Sequence, residues 1–372
     1  MTILRYSKTI SGILLLCFVI MVVGLAGGCS NKPAPKPLQT ILGSDEDPGN
    51  TGNTGNTGTT AMPPRMIIGY YENPWPGTPD KTGSFPSMKS FAKSMTGVGP
   101  FWYKATKDGS IEARDSQLVY DSAKNLGLQM YPLLTNKTGS TEELLGNPDV
   151  RSKAVENIIK LVQEKQYDGI NIDFELLPPK QRDNLTSFMA ELYPKMKALN
   201  KTVIISVFPQ VDVAEDVAGA YNYPELSKNA DFLQIMTYDH HWSTSAAGAI
   251  APIDWYEKNI KYAIDNCGGP QKVIVGIGLY GYDWVGKEGE TITYVDAIVK
   301  AEENGAKVVY DEGAQAPHFS YKNHEVWFEN DRSAAAKLDV IAKYNPAGIA
   351  LWRLGQEQPE VWPLIDSKFP KK

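Results

Sequence analysis

From Arg65 onward the chain alternates between short apolar runs and longer stretches with one apolar stripe. The runs predict strands over Met66–Tyr71, Gly97–Tyr103, Leu128–Leu134, Tyr167–Glu175, Thr202–Phe208, Phe232–Tyr238, Lys272–Tyr280 and Gly348–Trp352. Most are rich in β-branched or aromatic residues and lack an outer polar face, as strands covered on both sides require. The striped stretches, among them Asp149–Glu164, Pro179–Leu199 and Ile253–Asn266, predict amphipathic helices. Strand starts recur at roughly 30 to 40 residues until the last, the interval of βα units in a (β/α)8 barrel. A doubly wound open sheet is the alternative, but no glycine-rich phosphate loop supports it. The last interval, from Lys272 to Gly348, is about twice the others. It contains helix-like Tyr294–Glu303, strand-like Lys307–Tyr310 and a hairpin pattern from His318 to Phe328, so a small α+β insertion over about 285–330 is expected between strands seven and eight.

One strand breaks the apolar rule. In Tyr167-Asp168-Gly169-Ile170-Asn171-Ile172-Asp173-Phe174-Glu175 alternate residues point to opposite faces, which puts Asn171, Asp173 and Glu175 on one side and Ile170, Ile172 and Phe174 on the other. In an open sheet the polar side would meet water and need no further explanation. In a barrel, helices cover the isoleucine side and the acids face the interior, where mutual repulsion and desolvation raise the pKa of at least one. That costs stability and marks a site rather than a scaffold.

Composition narrows the functions. The chain has 372 residues, 42% hydrophobic, enough for a large core, and a net charge of −6, which with no basic run beyond the first residues excludes a nucleic-acid partner. Of the cysteines, Cys17 and Cys29 lie in the N-terminal leader and Cys267 stands alone, so neither a disulfide framework nor a cysteine zinc site is expected. His240, His241, His318 and His324 have no metal-ligand spacing, and neither metal nor cofactor is expected. Arg5 and Lys8 precede an apolar run from Ile10 to Leu25 and small residues up to Cys29, which reads as a signal peptide over 1–28. The cysteine after small residues resembles a bacterial lipobox, with Ala26 where leucine is usual; lipidation at Cys29 is expected, and secretion after cleavage nearby is the alternative. Residues 29–62, with Pro33, Pro35, Pro37 and a Gly/Thr/Asn repeat, cannot bury a core and read as a disordered tether. The barrel is expected over 63–372.

The strand-four pattern resembles the Asp-Gly-x-Asp-x-Asp-x-Glu signature of family-18 glycoside hydrolases, the chitinase-like group. Asp168 and Gly169 open it, Asp173 and Glu175 close it, and Asn171 replaces an aspartate. Two further strand ends match: Met236-Thr237-Tyr238-Asp239 at strand six and Trp352 at strand eight. Runs such as Gly99-Pro100-Phe101-Trp102-Tyr103 and Gly278-Leu279-Tyr280-Gly281-Tyr282-Asp283-Trp284 are similar to spore-cortex and cell-wall N-acetylglucosaminidases of the family. The resemblance implies a retaining, substrate-assisted hydrolysis of β-linked N-acetylglucosamine glycans. Glu175 would be the acid/base, Asp173 would orient the substrate acetamido group, Tyr238 would bind its carbonyl and Asp239 a sugar hydroxyl. Trp352 would floor the sugar pocket and Met236 shape it. Asn171 cannot ionise, so an altered pH profile is expected. Tyr70, Tyr71, Phe101, Trp102, Tyr103, Trp242, Tyr282 and Trp284 are candidates for stacking on sugars, with core packing as the alternative for each. The implied partner is an amino-sugar polysaccharide, peptidoglycan first and chitin second. A lectin on an inactive barrel is a third reading, against which the presence of Glu175 argues.

Overall fold

The computed structural model describes residues 65–74 and 80–371. The expected signal peptide, Cys29 and the linker lie outside the described residues. Eight parallel strands form the core: β1 (Met66–Tyr71), β2 (Gly97–Ala105), β3 (Leu133–Asn136), β4 (Gly169–Asp173), β5 (Thr202–Val207), β6 (Phe232–Ile235), β7 (Val273–Gly278) and β8 (Gly348–Trp352). Each pairs with its neighbour in sequence, and β1 pairs with both β2 and β8. The ring is closed, which excludes the open doubly wound sheet and gives the (β/α)8 barrel.

Alternation sorts the side chains into two cores. Ile170, Ile172 and Phe174 pack outward with the helices, while Ile68, Tyr70, Leu133, Ile204, Ile274 and Ala350 fill the barrel interior. Four differences from the sequence reading bear on the site. The third strand is split at Pro132 into Gln129–Met130 and Leu133–Asn136, because proline has no N–H for the ladder. Strand four stops at Asp173 and strand six at Ile235, each short of the polar residues expected to end it. Strand seven stops at Gly278, and Tyr280 opens a second, five-stranded antiparallel sheet that runs to Trp327. The α+β insertion therefore begins about five residues earlier than expected. Its helix Tyr294–Glu303 has the expected bounds, capped by the Thr293 side chain, which accepts from the Asp296 N–H at 3.1 Å.

The two residues that open the strand-four motif are structural. One Asp168 oxygen accepts from the Met130 N–H at 2.8 Å and from Lys124 Nζ at 2.7 Å, tying the entry of β4 to the short strand beside it. Gly169 lies so close to β5 that an added Cβ would meet the Thr202 carbonyl oxygen at 2.3 Å, a backbone atom that cannot swing away. Gly169→Ala must therefore push β4 and β5 apart. It should lower the urea midpoint, with a loss of about 1–3 kcal/mol typical of overpacking, and equilibrium unfolding followed by tryptophan fluorescence checks this.

Candidate active site

The acidic face of β4 lies inside the ring. Asp173 is 3% exposed and Asn171 1%, each surrounded by residues of neighbouring strands. Asn171 Nδ2 donates to the Tyr70 hydroxyl at 2.7 Å, Tyr70 donates to Gln234 Oε1 at 3.2 Å, and the Ser206 hydroxyl lies 3.1 Å from Asn171 Oδ1. Ser206 also reaches the Asp173 carboxylate. These residues come from β1, β4, β5 and β6, so a hydrogen-bonded plug of neutral groups spans the barrel beneath Asp173. A buried network of this kind is stable only when each member is paired. At position 171 a neutral carboxamide donates and accepts at once, which a carboxylate could not do.

Glu175 stands beyond the end of β4, partly exposed at the mouth of the barrel. Burial raises its pKa well above the usual range, and the nearby charges of Asp173 and Asp239 raise it further. Burial also lifts Asp173 to about 6, with the Ser206 hydrogen bond opposing the rise. Asp239 is likewise pushed to about 6 by burial, opposed by the hydroxyls of Tyr280 and Tyr282, which both donate to its Oδ1, the second at 3.1 Å. The three acids thus differ: neighbouring charges add to the rise at Glu175, while hydroxyl donors oppose it at the other two, so Glu175 is the one whose protonated form is favoured.

Tyr238 completes the group. Its hydroxyl titrates well above its ordinary value because of burial and then the charges around it, Asp173, Glu175 and Asp239 among them. The ring is seated against β7, where an added Cβ on Gly276 would meet Tyr238 Cε1 at 2.9 Å and one on Gly278 would meet Tyr238 Cβ at 3.2 Å. Met236 is buried directly after β6. Trp352, half-buried at the end of β8, packs on Tyr70 at a centroid distance of 5.4 Å and meets Phe101 edge-on at 6.3 Å. Asn171, Asp173, Glu175, Tyr238, Asp239, Trp352, Tyr70 and Phe101 therefore converge on one end of the barrel.

The aromatic candidates divide. A register shift in β2 between Phe101 and Tyr103 breaks the alternation, so Trp102 and Tyr103 both turn outward and pack with Tyr167. Tyr71 also lies in the outer core, and Trp284 is 1% exposed beneath Trp242, to whose carbonyl its indole N–H donates at 3.2 Å. These four are packing residues. Trp242 keeps 43% of its surface open. Tyr282 is buried and acts on the site through Asp239. Sequence reading gives no role to Ser206 or Gln234, although both are polar residues at inward positions of otherwise apolar strands, a signal that parity alone supplies. Among the described residues no group of His, Cys, Asp and Glu could hold a metal ion, and no helix is long and apolar enough to cross a membrane.

Comparison with known proteins agrees with this arrangement. Residues 67–357 match the family model described as Glycosyl hydrolases family 18. The chain is 28% identical to the cortical fragment-lytic enzyme of Bacillus subtilis over 294 residues, covering 74% of this chain and 68% of that one. Its fold superposes on the crystal structure of the spore cortex-lytic enzyme SleL of Bacillus megaterium with a TM-score of 0.74 and 28% identity, covering 82% of this chain and 74% of that one. It matches a chitinase from Chromobacterium violaceum with a TM-score of 0.75 and 27% identity, covering 83% of this chain and all of that one. A closed barrel, a carboxyl pair at the mouth of its fourth strand and a family match over most of the chain lead to one assignment: the protein is a glycoside hydrolase and belongs to family 18.

Proposed function

We propose that the protein hydrolyses β-linked N-acetylglucosamine glycans, peptidoglycan or its fragments first, by substrate-assisted catalysis with retention. The observation that carries this reading is the convergence of Glu175, Asp173 and Tyr238 at the mouth of the barrel, where burial and the neighbouring charges favour the protonated form of Glu175. Glu175 gives its proton to the glycosidic oxygen as the bond from that oxygen to C1 breaks. The carbonyl oxygen of the substrate's acetamido group bonds to C1 in its place, forming an oxazolinium ion, and Asp173 holds the acetamido N–H and offsets the positive charge. Glu175, now a carboxylate, then takes a proton from water, which attacks C1 as the bond from C1 to the acetamido oxygen breaks, regenerating the acetamido group and restoring the starting configuration. Tyr238 donates to the acetamido oxygen, Asp239 binds a sugar hydroxyl and Trp352 floors the pocket. The likeness to cortical fragment-lytic and spore cortex-lytic enzymes supports peptidoglycan. The likeness to a chitinase over that chain's whole length supports chitin oligomers as the second reading. Digesting purified peptidoglycan and chitin oligomers and identifying the new reducing ends by mass spectrometry decides between them. Release from neither would overturn the proposal.

Glu175→Gln removes the proton donor and should lower turnover of the glycan by about 10²–10⁴-fold. The same change should raise stability at pH 7. A carboxyl with a raised folded pKa stays protonated while its unfolded counterpart, near 4.3, ionises, so native stability falls as pH climbs above that value. Gln removes this loss, so a gain in Tm should appear at pH 7 and vanish at pH 4. Calorimetry at both pH values tests it.

The pH dependence of kcat/KM should be bell-shaped. Asp173 must be ionised, which sets the acid limb near pH 6. Glu175 must be protonated, which sets the alkaline limb. Asp239→Asn removes one of the negative charges that raise Glu175, so the alkaline limb should move to lower pH. A limb that stays in place in that variant would mean that Asp239 does not face Glu175 in solution.

We infer further that Cys29 carries a lipid anchor and that the linker carries the barrel outside the cell membrane. The short apolar run and the lipobox-like end support this. Cys29→Ala should move the protein from the detergent phase to the aqueous phase in a Triton X-114 partition; equal partition of both forms would leave ordinary secretion as the reading.

A further inference from the structure

The β3–β4 ladder ends at the pair Thr135↔Asp173, two residues before Glu175. Past that point the chain after β3 leaves β4, and the Lys137 N–H donates to the Ala105 carbonyl of β2 at 2.9 Å. Both peptide groups of Glu175 are nevertheless paired. The Glu175 N–H donates to Asn136 Oδ1 at 2.8 Å, and Asn136 Nδ2 donates to the Glu175 carbonyl at 3.1 Å. One side-chain carboxamide thus does the work of a further peptide unit in the sheet, donating and accepting at the same residue. The neighbours are fixed in a similar way. The buried Tyr221 hydroxyl donates to the Phe174 carbonyl at 2.7 Å. Leu176 adopts φ 54°, a left-handed conformation that a branched residue holds only when its surroundings impose it.

We infer that Asn136 is a positioning residue for the acid/base, setting the direction of the Glu175 carboxyl through its backbone. The inference rests on the reading of Glu175 given above. The amide makes both bonds, whereas a carboxylate accepts and cannot donate, and alanine does neither. Asn136→Asp is isosteric, keeps the acceptor and places a carboxylate oxygen against the Glu175 carbonyl. It also adds a negative charge beside Glu175, which favours the protonated acid.

The test compares two substrates with the full protein, an unmodified N-acetylglucosamine oligomer and the corresponding 4-nitrophenyl glycoside. Cleavage of the first needs a well-aimed proton. The second has a leaving group acidic enough to depart with little help. In Asn136→Ala and Asn136→Asp, kcat on the oligomer should fall about 10–100-fold, the range in which misplacement by about an ångström costs rate. The loss on the aryl glycoside should be several-fold smaller, KM should change little, and the alkaline limb should rise in Asn136→Asp. Equal losses on both substrates, no loss on either, or failure of both variants to fold would each make Asn136 a structural residue and overturn the inference. Glu175→Gln run in parallel separates the two claims. If it keeps full turnover, the acid/base reading falls and this inference with it. If it is inactive while the Asn136 variants behave as the parent does, only this inference falls.

Discussion

Closing a sheet into a ring leaves alternate residues of each strand no water to face. That constraint governs this molecule. β4 contributes Asn171 and Asp173 to the enclosed side, and the opposite parity would press them into the apolar layer that Ile170 and Ile172 share with the helices. Desolvation then acts on every acid near the mouth, and it is the largest cause of the raised pKa at Asp173, Glu175 and Asp239 alike. What distinguishes the three is what opposes it. Asp173 has the Ser206 hydroxyl and Asp239 has two tyrosine hydroxyls, whereas Glu175 has only further negative charge. Differential solvation by side chains thus favours the protonated form at Glu175 and opposes it at Asp173 and Asp239.

Asn171 shows how that differentiation is protected. An aspartate at this position would add a fourth charge to the interior and share a proton with Asp173. The carboxamide instead joins Tyr70, Ser206 and Gln234 into a network that stays neutral at every working pH. Asp173 then titrates against a fixed background. The cost is that no second carboxylate stands beneath it to take up a proton, so its ionisation depends on Ser206 and on the substrate.

The sequence made the barrel and the centre of the site legible because both depend on short-range periodicity. Strand parity placed Asp173 inside, and the ends of strands four, six and eight placed Glu175, Tyr238, Asp239 and Trp352 at the mouth. Features set by pairs distant in the chain were not legible. The shift in β2 that sends Tyr103 outward depends on the register with β3, which is split at Pro132. Trp284 belongs to the insertion and is covered by the loop after strand six, so its place at the end of strand seven did not show that it is packed. Gly276 reads as an ordinary strand residue until the ring of Tyr238 is laid against it. Asn136 gave no local signal at all, because its role is to complete a backbone 39 residues away.

The same geometry explains why Glu175, Tyr238 and Asp239 lie just past the strands. Within β4 the peptide groups are committed to the ladder and the side chains to fixed faces. Beyond Asp173 the chain is free of the ladder, and Glu175 is no longer bound to the strict alternation of the strand. That freedom would be useless if the backbone wandered, since proton transfer requires the donor to be aimed at one oxygen. A carboxamide from β3, a tyrosine hydroxyl and a strained leucine together restore the order that the sheet no longer provides. Asp239 repeats the arrangement at the end of β6, with φ 58° and two tyrosine donors from the insertion. At both strand ends, side chains take over where the ladder stops, and the rigidity of the site is therefore separable from that of the barrel.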